Sequence, residues 1–300
     1  MGPLLCLMSA VGFGAMAIFG KLAYDSGVGV GDLLFLRFAL AAALLLVVAA
    51  ATDTLRGLSR RSVLAGLAMG AIGYATQSAL YFDALTRMDA SLLALVLYLY
   101  PALVMIGSVA LGRERASARR VAALVIAFAG TALVLAGAAS GSLDAIGTAM
   151  GFCAAITYSV YILAGDRVGA TVPPVPLAAL VCLGATCTLA LTSVVRGGPD
   201  LGFGAAGWGW VGAIAFVSTV AAILCFFAGL ARVGPSAASI FSSSEPLVTV
   251  AMAAAVFGES LTAVQLLGGA LVLGAVVVLQ WRARPVVTFT VDARAAPASP

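Results

Sequence analysis

Apolar residues in this chain come in long unbroken runs, not in the alternation of a half-buried strand or the stripe of an amphipathic helix. The runs recur at lengths near the ~20 residues an α-helix needs to cross the hydrocarbon core, whereas barrel strands would appear as ~10-residue alternating segments. Ten segments follow: Leu4 to Leu22, Leu33 to Ala51, Val63 to Leu85, Ser91 to Gly112, Val121 to Ala139, Ala145 to Ala164, Val175 to Val195, Ala206 to Leu230, Ser236 to Phe257 and Ala263 to Trp281. Short loops marked by Gly, Pro, Asp and Arg separate them, such as Thr52 to Ser62 and Arg196 to Gly204, and none is long enough to fold as a separate domain. The pattern predicts an all-α polytopic membrane protein with ten transmembrane helices.

Composition agrees: 63% hydrophobic and 9% charged residues over 300 positions leave too little polar surface for a soluble globule. Charge then sets orientation, because arginine and lysine in short loops are retained on the cytoplasmic side. With the N-terminus inside, twelve basic residues fall on the inner side, among them Arg56, Arg60, Arg61, Arg113, Arg115, Arg119 and Arg120, against four, Lys21, Arg37, Arg87 and Arg196, toward the outside. The expectation is a multi-pass protein of the cell inner (plasma) membrane with both termini cytoplasmic. The net charge of +4 is then a topology signal and implies no nucleic-acid partner. The partners implied are the lipid bilayer and a small-molecule substrate, and with no dimer indicated the chain is expected as a monomer.

The first segment lacks a basic n-region and a small-residue cleavage site and ends in Lys21, so it is expected to stay attached as a helix. Residues 283–300, rich in Pro, Ala and Val, read as a mobile cytoplasmic tail. Cys6, Cys153, Cys182, Cys187 and Cys225 lie in predicted helices without a C-x-x-C pair and read as small packing residues. Histidine is absent, which removes His-based triads, His-containing zinc sites and His proton relays. No G-x-x-x-x-G-K-S/T loop is present, so ATP is not the direct energy source. The chain reads as a non-enzyme with no catalytic residues, metal or cofactor.

An internal repeat organises the sequence. ALTRMDASLLALVLYLYPALV, from Ala84, aligns with GLARVGPSAASIFSSSEPLV, from Gly229, at a constant offset of 145. Leu85 meets Leu230, Arg87 meets Arg232, Ser91 meets Ser236, Pro101 meets Pro246 and Glu114 meets Glu259. Two five-helix repeats result, residues 1–139 and 140–282, and because five is odd the second enters the membrane in the opposite sense. Inverted repeats are the architecture of many secondary transporters, whose site lies near the midplane between the halves.

The chain resembles the EamA family within the drug/metabolite transporter superfamily. The resemblance rests on FLRFALAAALLL with Arg37, on Lys21 closing the first helix, on the doubled pattern Ala/Gly-Leu, Arg, Ser, mid-helix Pro, then Glu, and on LGRE at Leu111 to Glu114 and FGES at Phe257 to Ser260. It implies a ten-helix carrier of small organic molecules, usually an exporter, with a central cavity lined by the first, third, fourth, sixth, eighth and ninth helices. In general layout it is most similar to the YddG-type exporters of amino acids and related compounds.

In the third helix Tyr74, Gln77, Ser78 and Tyr81 share one face, and a polar face must look into a cavity or another helix. Tyrosine, with apolar area and a polar tip, suits a pocket for amphiphilic molecules. At 100° per residue Tyr98 and Tyr100 project apart, so only one of them faces the cavity, and Tyr100, preceding the proline, is the choice. Tyr158 and Tyr161 share a face of the sixth helix, and Thr219 and Phe226 in the eighth align with Tyr74 and Tyr81. Packing between helices is the alternative role for each. Trp208, Trp210 and Trp281 read as interfacial anchors.

Lys21 and Arg37 lie toward the outer side, Arg37 within reach of the surface by snorkelling. With Asp25, Asp32 and Asp83 nearby, Lys21, Arg37 and Asp83 are expected in structural or gating ion pairs, with direct substrate binding by the two basic residues as the alternative. The lack of several basic donors near the midplane argues against nucleotide sugars or sugar phosphates. Glu114 and Glu259 read as structural groups at helix ends, and Gly130, Gly268, Gly269 and Gly274 as points of close helix approach.

Pro101 and Pro246 each remove a backbone hydrogen bond and free the carbonyls of Leu97 and Ser242, which makes them the natural hinges. Ser242, Ser243 and Ser244 supply hydroxyls there. Glu245 aligns with Tyr100, immediately before the proline, and an intramembrane acid is by default a functional hypothesis. Attraction of a substrate ammonium, proton binding and satisfaction of the proline break all stay open for it. The sum is a secondary transporter working by alternating access and exporting small organic solutes, foremost amino acids, including aromatic or neutral ones, and related metabolites. A multidrug, quaternary-ammonium or nucleoside exporter of the same fold is the alternative, and a channel or helical membrane scaffold is the non-carrier one.

Overall fold

The computed structural model describes residues 1–112, 117–138, 144–169, 171–233, 241–242 and 244–280, and every regular element among them is a helix. Helices α1 (Gly2–Gly14) and α2 (Met16–Asp25) bend at Ala15, and α3 is Val30–Ala51. Helix α4 (Arg60–Ala68) runs through a π-helical turn, Met69–Tyr74, into α5 (Ala75–Leu85). Then come α6 (Ala90–Leu97), α7 (Tyr100–Ala110), α8 (Ala118–Ala138), α9 (Ala145–Gly169) and α10 (Pro174–Val195). Helix α11 (Ala205–Ala215) passes through a second π-helical turn, Phe216–Ala221, into α12 (Ala222–Val233), and α13 (Glu245–Phe257) and α14 (Ala263–Gln280) follow.

Among the described residues, seven continuous segments are long and apolar enough to cross a membrane: Gly2–Asp25, Val30–Ala51, Arg60–Leu85, Ala90–Ala110, Ala145–Gly169, Pro174–Val195 and Ala205–Phe226. Three shorter apolar helices, Val121–Val134, Glu245–Phe257 and Ala263–Val278, stand where the remaining expected segments lie. The ninth expected segment is described only in part, and within it Pro246 takes the first turn of α13, where a missing backbone donor costs nothing. Large apolar side chains such as Val47, Ile72, Val160, Leu191 and Val195 point out of the bundle, 61% to 79% exposed, and suit a hydrocarbon surround.

Contacts follow the sequence offset. Helix α3 packs on α10, its image at +145, and α8 packs on its image α14. The offset also carries α5 onto α12 and α1–α2 onto α9, and the structure pairs α5 with α9 and α12 with α1. The two halves are thereby interleaved, each helix of these pairs leaning on one from the other half.

The α8–α14 seam depends on the absence of two side chains. A Cβ at Gly130 would lie 2.7 Å from the Gly268 carbonyl oxygen, and one at Gly268 would lie 2.5 Å from that of Gly130. Gly269 faces Leu95, whereas Gly274 meets nothing within 4 Å among the described residues and makes no close approach to them. Gly130→Val is expected to force the helices apart and lower stability by about 1–3 kcal/mol, read as a lower unfolding midpoint of the purified protein. Gly274→Val, with open space at its Cβ, is the control expected to leave the midpoint near wild type.

The two ends of the bundle differ. At one, Lys21 of α2 bonds Glu259 at 2.9 Å, Asp32 accepts from the Asp200 backbone at 3.2 Å, and Arg87 stands 4.0 Å from Asp144. At the other, Ser59 caps α4 and Ser62 meets Thr171 at 3.4 Å, just before α10 begins. Trp210 stacks on Phe19 with ring centroids 5.8 Å apart, while Trp208 is half exposed. Trp281, Glu114, Ser236, Ser243 and the tail lie outside the described residues.

Candidate functional site

Between the broken helices lies a cavity of about 410 Å³. Six of the chain's seven tyrosines line it: Tyr74, Tyr81, Tyr98, Tyr100, Tyr158 and Tyr161. Five of these form a continuous row. Tyr74 stacks on Tyr161 at 5.3 Å, Tyr161 on Tyr158 at 6.1 Å, Tyr158 meets Tyr100 edge-on at 4.8 Å, and Tyr100 meets Tyr98 at 5.5 Å. Such a wall offers ring faces and a few polar tips, which suits a small amphiphilic guest.

Of the residues singled out in the sequence, Gln77, Ser78, Phe226 and Glu245 also reach the cavity. Thr219 does not. It is fully buried away from the cavity wall, accepting from Arg37 Nε at 2.9 Å and donating to the Ile214 carbonyl at 2.9 Å. The cavity also draws on α3 through Arg37 and on α10 through Pro174, Leu177, Ala178, Val181 and Cys182, two helices beyond the expected six. Pro174 is exposed, so the lining continues to the bundle end opposite Lys21.

Tyr98 corrects the expectation that it and Tyr100 face different ways. Helix α6 stops at Leu97 and α7 restarts at Tyr100 because Pro101 cannot continue the ladder, so 100° per residue does not hold across the gap. Both rings enter the cavity, and the Tyr98 hydroxyl donates to the Ser242 carbonyl at 2.6 Å. That carbonyl is the one Pro246 frees, so a tyrosine from the first half answers the break in the second. Ser244 instead donates to the Phe241 carbonyl at 2.6 Å. Tyr98→Phe is expected to leave the Ser242 oxygen without its donor and lower stability by about 1–3 kcal/mol, seen as an earlier thermal transition. An unchanged transition would show that the break is satisfied otherwise.

Arg37 corrects a second expectation. It does not snorkel: it is 1% exposed, its guanidinium carbon 4.8 Å from the Phe38 ring centroid and 5.5 Å from that of Phe82. Besides the Thr219 bond, Nη2 donates to the Tyr74 hydroxyl over a long 3.4 Å. Among the described residues no carboxylate lies within 4.0 Å of it, and buried Nη1 has no protein partner. Asp83 likewise enters no ion pair among the described residues. The π-helical turns bring both hydroxyls here, since Tyr74 ends the first and Thr219 sits in the second.

Lys21 pairs not with an aspartate but with Glu259, whose two oxygens also bind the start of α6. Oε1 accepts from Lys21 at 2.9 Å and from the Ala90 backbone at 3.1 Å, and Oε2 accepts from the Ser91 backbone at 3.1 Å and its hydroxyl at 2.8 Å. Burial alone would raise the Glu259 pKa, but the bonds from Lys21 and Ser91 outweigh it and hold the carboxyl below its ordinary 4.5. Glu245 differs: its carboxylate lies on the cavity wall and takes no protein hydrogen bond among the described residues.

The family model of the EamA-like transporter family matches this chain twice, over residues 1–136 and 145–281. A relative from Bacillus subtilis (strain 168), described as the uncharacterized transporter YyaM, is 25% identical over 249 residues, covering 79% of this chain and 80% of its own. A solved crystal structure superposes with a TM-score of 0.68 at 20% identity, over 93% of this chain and 96% of the other, a likeness of fold alone.

Proposed function

The chain belongs to the EamA-like transporter family, and from that premise we propose that this multi-pass membrane protein is a secondary carrier exporting amino acids and related amine-bearing metabolites by alternating access. The observation that carries the reading is the cavity of about 410 Å³, where helices broken at Pro101 and Pro246 meet a tyrosine row and a carboxyl group without a partner among the described residues. Irregular backbone at membrane depth is tolerated where it lines a cavity, and matching breaks in two halves mark the usual place of a substrate. Under this reading all ten apolar segments cross the inner membrane, residues 1–139 and 140–282 are inverted repeats, and both termini are cytoplasmic. The tie among Lys21, Glu259 and Ser91 then closes the outer end, and the lining that continues to Pro174 is the inner mouth.

Glu245 supplies the counter-charge for an ammonium, and the tyrosines supply apolar area and cation–π faces. The same pairing favours a second reading, a quaternary-ammonium exporter, since an aromatic wall with one carboxylate also suits an alkylated cation. Flux in proteoliposomes tests the site. Tyr74→Ala, Gln77→Ala and Tyr81→Ala are each expected to raise the half-saturating substrate concentration about tenfold with little loss of folded protein. Unchanged kinetics in all three would remove the cavity from the transport path.

A further inference from the structure

Arg37, a fixed cation, and Glu245, an acid, both line the cavity, and among the described residues neither has an ion-pair partner. An arginine keeps its charge at any physiological pH, and a buried guanidinium with an unused donor is costly unless something completes it. Part of the cost is met by Thr219 on Nε and by the rings of Phe38 and Phe82. Those contacts fix the plane of the guanidinium and leave the Nη1–Nη2 edge, with Nη1 unpartnered and Nη2 on only the long Tyr74 bond. That edge matches the two oxygens of a carboxylate. The offset of 145 carries Arg37 onto Cys182, which also lines the cavity, so the pseudo-symmetric position in the other half lacks the charge.

We infer that Arg37 is the receptor for the substrate's carboxylate, so that the cavity selects α-amino acids over the corresponding amines. The inference rests on the carrier reading and sharpens it. The incoming carboxylate takes Nη1 and displaces the Tyr74 hydroxyl from Nη2, while Thr219 keeps Nε. The α-ammonium faces Glu245 and an apolar or aromatic side chain lies along the tyrosine row. One arginine falls short of the several fixed donors that a nucleotide sugar demands, which keeps the assignment on carboxylates.

The test is a binding measurement on the purified full-length protein with phenylalanine, phenethylamine, which lacks the carboxylate, and 3-phenylpropionate, which lacks the ammonium. Wild type is expected to bind phenylalanine at least about tenfold more tightly than either analogue. Arg37→Lys, which keeps charge but loses the planar fork, is expected to reduce the phenylalanine affinity to that of phenethylamine and leave phenethylamine unchanged. Phenethylamine binding as tightly as phenylalanine in wild type, no binding of either, or an equal loss for both ligands in Arg37→Lys would overturn the assignment. Because the wild-type comparison needs no variant, poor folding of Arg37→Lys leaves the test decisive. Discriminating binding without counterflow in proteoliposomes would sink the carrier reading and keep Arg37; counterflow of phenethylamine that ignores the carboxylate would do the reverse.

Discussion

Glu259→Ala is expected to destabilise the protein by about 2–4 kcal/mol, because one change orphans four donors. Lys21, the Ala90 and Ser91 backbone N–H groups and the Ser91 hydroxyl all bond its two oxygens. The start of α6 is especially exposed to this loss, since a helix N-terminus has no other partners for its first amides. Glu259→Gln keeps an acceptor but loses the charge, and is expected to fall between alanine and wild type. The sign of the pH dependence follows from the depressed pKa. The stabilisation is fully present above 4.5, the ordinary value, and is lost as pH falls through the lower folded value. Wild-type unfolding midpoints are therefore expected to drop below pH 4.5 by an amount missing in Glu259→Gln, and parallel acid profiles would show that Glu259 does not supply the linkage.

Glu245→Gln is expected to weaken binding of amine-bearing substrates by about 10–100-fold at fixed pH, the range set by losing one charge-assisted contact in a water-poor site. The carboxylate has no protein hydrogen bond to lose among the described residues, so the variant is expected to fold with near wild-type stability. Isothermal titration with phenylalanine and a thermal scan on the same sample separate the roles. Weakened binding with an unchanged scan assigns Glu245 to the ammonium. Unchanged binding with a transport rate that no longer varies with pH assigns it to a proton, and a lowered scan alone assigns it to the proline break.

Much of the architecture was legible because long apolar runs and a constant offset are properties of the chain itself. The Tyr74, Gln77, Ser78 and Tyr81 face reached the cavity as periodicity required, since α5 is regular from Ala75 on and Tyr74 directly precedes it. Periodicity failed where the ladder breaks. Tyr98 could not be placed by counting degrees across a proline gap, and the π-helical turn Phe216–Ala221 leaves Thr219 bonded to Arg37 instead of lining the cavity. Arg37 itself was misread because its compensation comes from elements distant in sequence: Phe82, Tyr74 and Thr219 make a pocket that no local pattern announces. Lys21 with Glu259 spans 238 positions, a separation that no local pattern bridges.

Counterflow in proteoliposomes tests the central claim most directly. Vesicles carrying the full-length protein are loaded with excess unlabelled phenylalanine and diluted into a trace of labelled phenylalanine. A carrier with one alternately exposed site is expected to accumulate label transiently above equilibrium, with a rate that saturates, and Glu245→Gln is expected to blunt both. Label that only equilibrates, at a rate linear in concentration and indifferent to the internal load, would contradict alternating access through this cavity.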